Sequence, residues 1–385
     1  MKFFGPTEKG TFLSRPNRFT ITCILNGKEV DAFLPNPGRL WELLLPETAV
    51  YLEEAKNPSR RLPLTAVAVE REGEKVVLHT HKTNEVARHL IEKSSVPGLE
   101  GYEVIKNEVR AGHSRFDFLL NDGKKNLLLE VKSCTLFSKR MAMFPDAVTA
   151  RGTRHLRHLA SLSDAGTACG VLFLVHWPRA EYFLPDFHTD LEFARTLLEV
   201  KGRVSFFPMA VQWKKGLSLK ASESKLLRVP FRILEAELED RGSYLLILRL
   251  ASEARLRVGG LGRIDFRRGY YVYVGSAMKN LTQRIHRHRG LRKNFFWHID
   301  YLRDGSEFIA GLPVRSEDDL ECEIAAKMGG VAEWTVPGFG SSDCSCPSHL
   351  FGFETHPLNL APFHHLLQFF RMERLIDKYG ERTIP

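Results

Sequence analysis

The stretch Ser114–Ser133, SRFDFLLNDGKKNLLLEVKS, decides how the middle of the chain is read. Two apolar runs of strand composition, RFDFLL and NLLLEVKS, flank the turn signal NDGK, and this pattern predicts a β-hairpin. Each run carries an acid in its middle. Asp117 and Glu130 are equidistant from a turn centred between Gly123 and Lys124. Residues directly opposite on antiparallel strands share one face, with Cβ atoms about 5 Å apart. Alternation brings Lys132 to that face and sends Phe116, Phe118, Leu129 and Val131 to the other. Two facing carboxylates destabilise a strand pair by up to about 1 kcal/mol, and by more where water is excluded. A cation is therefore expected between them. A divalent ion such as Mg²⁺ takes one or two carboxylates together with waters and phosphate oxygens, and activates a water for attack on phosphorus. Lys132 then orients that water or stabilises charge developing on the phosphate. A solvated sheet face, on which Lys132 merely neutralises one acid, fits the spacing equally well.

At 385 residues the chain has the length of two or three domains. Its hydrophobic fraction of 43% is ordinary for globular protein, while the formal net charge of +9 favours a polyanionic partner. The N-terminus MKFFGPTEKG has no apolar signal core, and no run of about 18 apolar residues occurs, so a soluble cytoplasmic protein without a membrane partner is expected. Six scattered cysteines do not resemble a disulfide framework, and Cys134 and Cys169, set among apolar strand residues, are expected to pack in cores.

Short alternating segments from RFTITCIL to EKVVLHTH predict a small β-barrel over residues 1–83. From 84 to 215 helices and strands mix in an α/β pattern. NEVARHLIEKS and AVTARGTRHLRHLASLSDAG read as helices, and GYEVIKNEV and CGVLFLVH as strands. Residues 216–240 are charged and irregular and read as a linker to a separate C-terminal domain with a tail, 241–385. The fold class is thus multidomain α/β with a β-barrel.

FDFLL followed by LLLEVKS matches the D…(D/E)xK pattern of PD-(D/E)xK nucleases, without the proline before Asp117. With LPNPGRL, RRLPLTAVAVE, MFPDAVTARGTRHLRHL and GVLFLVHW, residues 12 to 213 resemble the SfsA family, the sugar fermentation stimulation proteins. The resemblance implies an N-terminal OB-type barrel, a restriction-endonuclease-like α/β domain, DNA binding and DNA/RNA nuclease activity. Asp117, Glu130 and Lys132 carry over as active-site residues, with Mg²⁺ or Mn²⁺ as the cofactor. Glu85 and Glu92 both remain candidates for the supporting acid of the preceding helix. Around this core, PNPGR sets Asn36 and Arg39 at a tight turn where phosphates can approach, and a plain barrel loop is the competing reading. Arg151, Arg154, His155 and Arg157 begin a helix whose unpaired amides also favour phosphate, and Asp146 just before it reads as its cap. Asn36, Arg39, Arg115, Arg151 and His155 form the expected nucleic-acid-binding set.

Further on, GYYVYVGSA predicts a strand with Tyr271 and Tyr273 on one face, before the basic helix LTQRIHRHRG, where Arg284 and His288 share a face. Tyrosine, guanidinium and imidazole suit phosphodiester cleavage, and they suit an RNA- or DNA-binding sheet without chemistry as well. Glu321 and Glu323 point to different helix faces, so one at most enters a site. GYYVYVGSA, FWHIDYL and VPGFGSSDCSCPSHLF together resemble the Uri-type branch of the GIY-YIG nuclease superfamily, which implies an α+β domain over about 242–360. On that resemblance Tyr244 and Tyr273 match the two motif tyrosines, Arg284 the helix arginine, His288 a histidine one turn later, and Glu321 the metal-binding glutamate. GSY stands where the motif has Gly-Ile-Tyr, and SSDCSC occupies the place of the late asparagine. Cys322, Cys344, Cys346 and His349 are all zinc-ligand types, but Cys-x-Cys is tighter than the usual Cys-x2-Cys, so a loop closing over the site is preferred to structural Zn²⁺. The function expected is a metal-dependent DNA/RNA endonuclease with a second nuclease-like domain. The alternative is a DNA-binding regulatory protein with one or both folds inactive.

Overall fold

In the computed structural model, which describes residues 1–55, 57, 59–291 and 294–380, the short N-terminal segments form strands β1 (Thr7–Asn17), β2 (Thr20–Leu25), β3 (Lys28–Phe33), β4 (Ala49–Glu54), β5 (Leu64–Arg71) and β6 (Glu74–Val77). The sheet runs β3-β2-β1-β4-β5-β6, and a parallel pairing of Ala32 with Leu64 and Phe33 with Thr65 closes β3 onto β5, giving an OB-like barrel without a free edge along β1 to β5. β5 is buried from Leu64 to Val69 on both of its faces. One reason is that Val67 and Ala68 join a core with Val86, Leu90, Phe118, Leu129 and Leu172 of the α/β part that follows.

That part consists of α1 (Thr83–Glu92), β7 (Glu103–Ala111), β8 (Ser114–Asn121), β9 (Asn126–Cys134), β10 (Leu136–Phe137), β11 (Met141–Phe144), α2 (Ala150–Asp164), β12 (Ala168–Val175), β13 (Tyr182–Pro185), α3 (Leu191–Glu199), β14 (Ser205–Ala210) and β15 (Lys225–Leu226). A six-stranded sheet runs β15-β14-β12-β9-β8-β7, parallel across β14-β12-β9 and antiparallel from β9 to β7. Because β9 lies inside the sheet, Leu127 to Val131 are all buried, the acid Glu130 among them. The stretch 216–240, expected to be an irregular linker, contains β15 and α4 (Phe231–Glu237). Leu217, Leu219, Ala221 and Leu227 are buried between exposed charges, so the segment packs despite its polar composition.

Among the described residues the chain divides into two compact units, Met1–Asp186 with Glu192–Phe231, and Phe187–Leu191 with 232–380. The second unit is built on a five-stranded antiparallel sheet in the order β20-β16-β19-β22-β21. Its strands are β16 (Gly242–Leu250), β19 (Gly269–Ala277), β20 (Glu307–Arg315), β21 (Trp334–Thr335) and β22 (Leu350–Phe353), with a hairpin of β17 (Ala254–Val258) and β18 (Gly262–Phe266). Helices α5 (Leu281–Arg289), α6 (His298–Asp304), α7 (Glu321–Gly329), α8 (Ala361–Gln368) and α9 (Arg374–Tyr379) complete it. Leu246, Leu248, Tyr271, Tyr273, Ile299 and Leu302 share its core. Residues 381–385, the end of the expected tail, lie outside the described residues. Among the described residues no helix is long and apolar enough to cross a membrane.

Candidate functional site

The hairpin of β8 and β9 pairs Phe118 with Leu129 and Leu120 with Leu127, and Asp117 and Glu130 are the next residues along its two strands. The backbone ladder ends at Phe118–Leu129, and the Asp117 side chain takes over. Its Oδ2 accepts from the Val131 N–H at 2.8 Å, and its Oδ1 accepts from Asn84 Nδ2 at 2.8 Å. Glu130 Oε1 accepts from Lys132 Nζ and from His155 Nδ1, the latter at 2.8 Å. Among the described residues the buried Glu130 Oε2 has no hydrogen-bond partner. Burial, helped by the Glu130 charge, pushes the Asp117 carboxyl above its ordinary value. Burial works upward on Glu130 too, but the His155 hydrogen bond and the Lys132 ammonium outweigh it, and Glu130 ends below the usual carboxylate value. The pair is thus split into an acid that ionises reluctantly and one that is firmly ionised.

Asp117 and Lys132 line a cavity of about 550 Å³, bordered also by Asn36, Gly38, Asp146 and Thr149. In the PNPGR turn the Asn36 Oδ1 accepts from the Gly38 N–H at 2.9 Å, and Arg15 donates to the Arg39 and Asn36 carbonyls at 2.6 and 3.2 Å. A side chain at position 38 would run into the Asp146 carboxylate and the Asn36 Oδ1, which explains the glycine. Asp146 does not cap α2. Its Oδ2 accepts from the Leu40 N–H at 3.4 Å, and Thr149 caps the helix by accepting from the Gly152 N–H at 3.1 Å.

Of the expected phosphate-binding residues, Asn36 borders the cavity, and Arg39 lies over the Trp41 ring at 4.8 Å. Arg115 is exposed and paired with Glu108 at 3.4 Å, and Arg151 is exposed on α2 with its Nε 3.5 Å from His155 Nε2. His155 differs from expectation. It is buried, edge-on to Phe116, and holds Glu130 from behind. Neither Glu85 nor Glu92 reaches Asp117. Both are exposed and paired along α1 with Lys82 and Arg88, and Asn84 takes the inward position. His155→Ala should destabilise the fold by about 1–3 kcal/mol, because a buried carboxylate loses a charge-assisted partner. Equilibrium denaturation checks this, and an unchanged midpoint contradicts it.

In the second unit the Tyr244 hydroxyl is hydrogen-bonded to His288 Nε2 at 3.0 Å. β16 and β19 pair Tyr244 with Gly275, and a Cβ there would strike the Tyr244 and Tyr273 rings, so the glycine of YVGS makes room for both phenols. The Tyr273 ring centroid lies 6.4 Å from that of Tyr244 and 6.5 Å from that of His288. Burial raises both phenols above their ordinary value, an effect the Arg284 charge opposes. Arg284 sits over the Trp297 ring at 4.2 Å. Behind His288, its Nδ1 is 3.6 Å from Asp300 Oδ1, and that buried acid also accepts from Arg287 at 3.1 Å and from the Phe296 and Trp297 amides. Asp300 was not singled out in the sequence. The spacing of WHIDYL puts it on the inner face of α6, which is the signal that would have found it. Both Glu321 oxygens are engaged, Oε1 by His349 Nδ1 at 2.7 Å and Oε2 by the Ser276 hydroxyl, while Glu323 is exposed.

Residues 13–78 match the SfsA N-terminal OB domain, residues 81–216 the sugar fermentation stimulation protein RE domain, and residues 243–370 the domain of unknown function DUF123. A sugar fermentation stimulation protein homolog of Methanothermobacter thermautotrophicus is 38% identical over 189 residues, covering 49% of this chain and 79% of that protein. A homolog from Methanosphaera stadtmanae is 36% identical over 231 residues, covering 58% of this chain and 95% of that protein. The structure of Pyrococcus furiosus SfsA in complex with Ca²⁺ is similar at a TM-score of 0.55 and 27% identity, over 60% of this chain and 99% of that one.

Proposed function

The chain belongs to the SfsA family of sugar fermentation stimulation proteins, and from that premise we propose that its first unit hydrolyses phosphodiester bonds in DNA or RNA, using Mg²⁺ or Mn²⁺ held by Asp117 and Glu130. The observation that carries this reading is the Glu130 Oε2, buried and without a hydrogen-bond partner among the described residues, near a second carboxylate, that of Asp117. A buried charged oxygen left unpaired is costly, and a hard cation is the partner that suits two neighbouring carboxylates, of which Asp117 lines an open cavity. The Ca²⁺ in the Pyrococcus furiosus relative, a cation of oxygen ligands, supports a site of this kind. When bound, the metal supplies a nucleophilic water at neutral pH and Lewis-acid polarisation of the phosphoryl oxygen.

The remaining work falls to the protein's own groups. His155 holds the Glu130 carboxylate, and Asn84 and the Val131 amide hold that of Asp117, so both are aimed before substrate arrives. Lys132, partly exposed at the cavity, hydrogen-bonds the attacking water or the charge developing on phosphorus. The N-terminal amides of α2, at Thr149, and the basic excess of the chain draw the phosphate backbone in.

Arg151 is proposed to contact phosphate. For Arg151→Ala the slope of log binding constant against log salt should shrink by about 0.9 on duplex DNA. Fluorescence anisotropy across a salt series measures it, and an identical slope removes Arg151 from the interface. Cleavage itself is tested by incubating the full chain with supercoiled DNA, single strands and structured RNA, with Mg²⁺, with Mn²⁺ and with chelator.

For the second unit a further reading is favoured by a specific observation. Tyr244, Tyr273, Arg284 and His288 are drawn together as a phosphodiesterase would need, yet Glu321, the acid expected to hold a metal there, is bonded to His349 and Ser276 and, unlike Glu130, has no unpartnered oxygen. A DNA- or RNA-binding platform that does no chemistry fits that engagement, and it is the form in which the regulatory alternative survives.

A further inference from the structure

We propose that the second unit binds one Zn²⁺ through Cys322, Cys344, Cys346 and His349, and that Glu321 orients the histidine ligand. The four ligand atoms lie within 4.8 Å of one another, and Cys344 Sγ is 3.5 Å from His349 Nε2. Tetrahedral zinc with bonds of about 2.1 Å to nitrogen and 2.3 Å to sulfur needs ligand atoms within about 4 Å of each other, so sub-ångström side-chain adjustments complete the set. Three thiolates and an imidazole are a recurrent structural zinc donor set, softer than the carboxylate pair proposed for Mg²⁺ or Mn²⁺.

The ligands come from two places that the fold brings together. Cys322 lies in the first turn of α7, and the others lie in the loop before β22. His349 is fixed by its backbone, whose N–H donates to the Phe339 carbonyl at 2.8 Å and whose carbonyl accepts from the Val274 N–H at 2.9 Å. Apolar packing does not account for the cysteines, since Cys322 is exposed and Cys344 and Cys346 are half-buried in the polar run SSDCSCPS. A loop of that composition lacks a core of its own and gains order from a metal cross-link.

The histidine supplies the second, independent observation. With Nε2 facing the sulfurs, its Nδ1–H donates to Glu321 Oε1 at 2.7 Å, and Glu321 Oε2 in turn accepts from Ser276 on β19. A carboxylate behind a ligating histidine fixes ring and tautomer and is a regular companion of zinc. Glu321, matched by resemblance to a catalytic metal ligand, thus gains a supporting role in a different site. Binding displaces three thiol protons and leaves the imidazole neutral, so the ligand set carries one net negative charge with the ion.

This zinc site stands whether or not either unit cleaves nucleic acid. The full chain, purified under reducing conditions and passed over a desalting column, should carry one zinc per chain by elemental analysis. Denatured without reductant, it should titrate all six cysteines as thiols. Cobalt exchanged into the chelator-stripped chain should give the visible d–d and thiolate charge-transfer bands of tetrahedral sulfur ligation. Cys344→Ser with Cys346→Ser should lose the zinc, and Glu321→Gln should keep it while weakening it by about 10–100-fold in chelator competition. Should the double variant fail to fold, the thiol count and cobalt spectrum of the wild-type chain decide alone. Four titratable thiols with no zinc, which would signal a disulfide, overturn the proposal. So do iron in place of zinc, or zinc retained by the double variant.

Discussion

Asp117→Asn is expected to abolish metal-dependent cleavage by the first unit, lowering it by at least about 10³-fold, while leaving the metal-free protein as stable as the wild type or more so. The two effects share one cause. Asp117 is half-buried beside Glu130, and both the loss of water and the like charge disfavour its ionised form. An amide keeps the shape. Its oxygen can still accept from the Val131 N–H, and Asn84 can turn its own amide to meet the new NH₂ group. Removing one of two facing charges is worth up to about 1 kcal/mol, which is about 2–4 °C in melting temperature for a unit of this size. The sign with pH follows from linkage. The folded carboxyl titrates above its unfolded value, so the native state holds its proton longer, and ionising it costs stability as pH rises through the folded value. The melting advantage of Asp117→Asn should therefore be absent in acid, where both states are protonated, and should open toward neutral pH. Melting curves without metal across that range check it. An advantage that grows in acid, or cleavage that survives the substitution, contradicts it.

Lys132→Ala should lower kcat by about 10²–10³-fold, the magnitude typical for loss of one electrostatic stabiliser of the transition state, with metal affinity unchanged or improved. The ammonium is bonded to Glu130 Oε1, so its removal leaves a more negative ligand for a cation. This split separates the two readings the hairpin spacing leaves open. A lysine that only neutralises Glu130 becomes redundant once a divalent ion is bound, and the variant would then cleave like wild type at saturating metal. Titrating Mn²⁺ binding by calorimetry alongside single-turnover cleavage distinguishes them, since wild-type cleavage by the variant at saturating Mn²⁺ contradicts the proposed role.

The hairpin was legible because its two signals are local. Strand alternation and a symmetric turn predict Asp117, Glu130 and Lys132 on one face without knowledge of any other element, and the observed pairing of Phe118 with Leu129 follows that register. His155 was not legible in the same way. Among the basic residues of TARGTRHLRHL it reads as part of a phosphate-binding face, and only the packing of α2 against the sheet shows that its position points inward while Arg151 points out. Asn84 was missed for a related reason. The helix spacing leaves several inward positions, and charge drew attention to Glu85 and Glu92, which solvent and their neighbouring cations claim. The stretch 216–240 misled through composition, since its buried leucines are spaced among lysines and glutamates and pack through irregular backbone, where no simple period marks them. The cysteines posed the reverse difficulty. The tight Cys-x-Cys spacing argued against zinc, but 22-residue separations such as that of Cys322 from Cys344 are closed by tertiary folding, which spacing rules do not see.

The most direct test of phosphodiester hydrolysis is a cleavage assay of the purified full chain on supercoiled DNA and structured RNA with Mn²⁺, run beside the variant carrying both Asp117→Ala and Tyr273→Phe. The expected result is strand cleavage that chelator stops and that the double variant lacks. Cleavage by the double variant at the wild-type rate, or a wild-type protein that binds these substrates and cuts none of them, would contradict it.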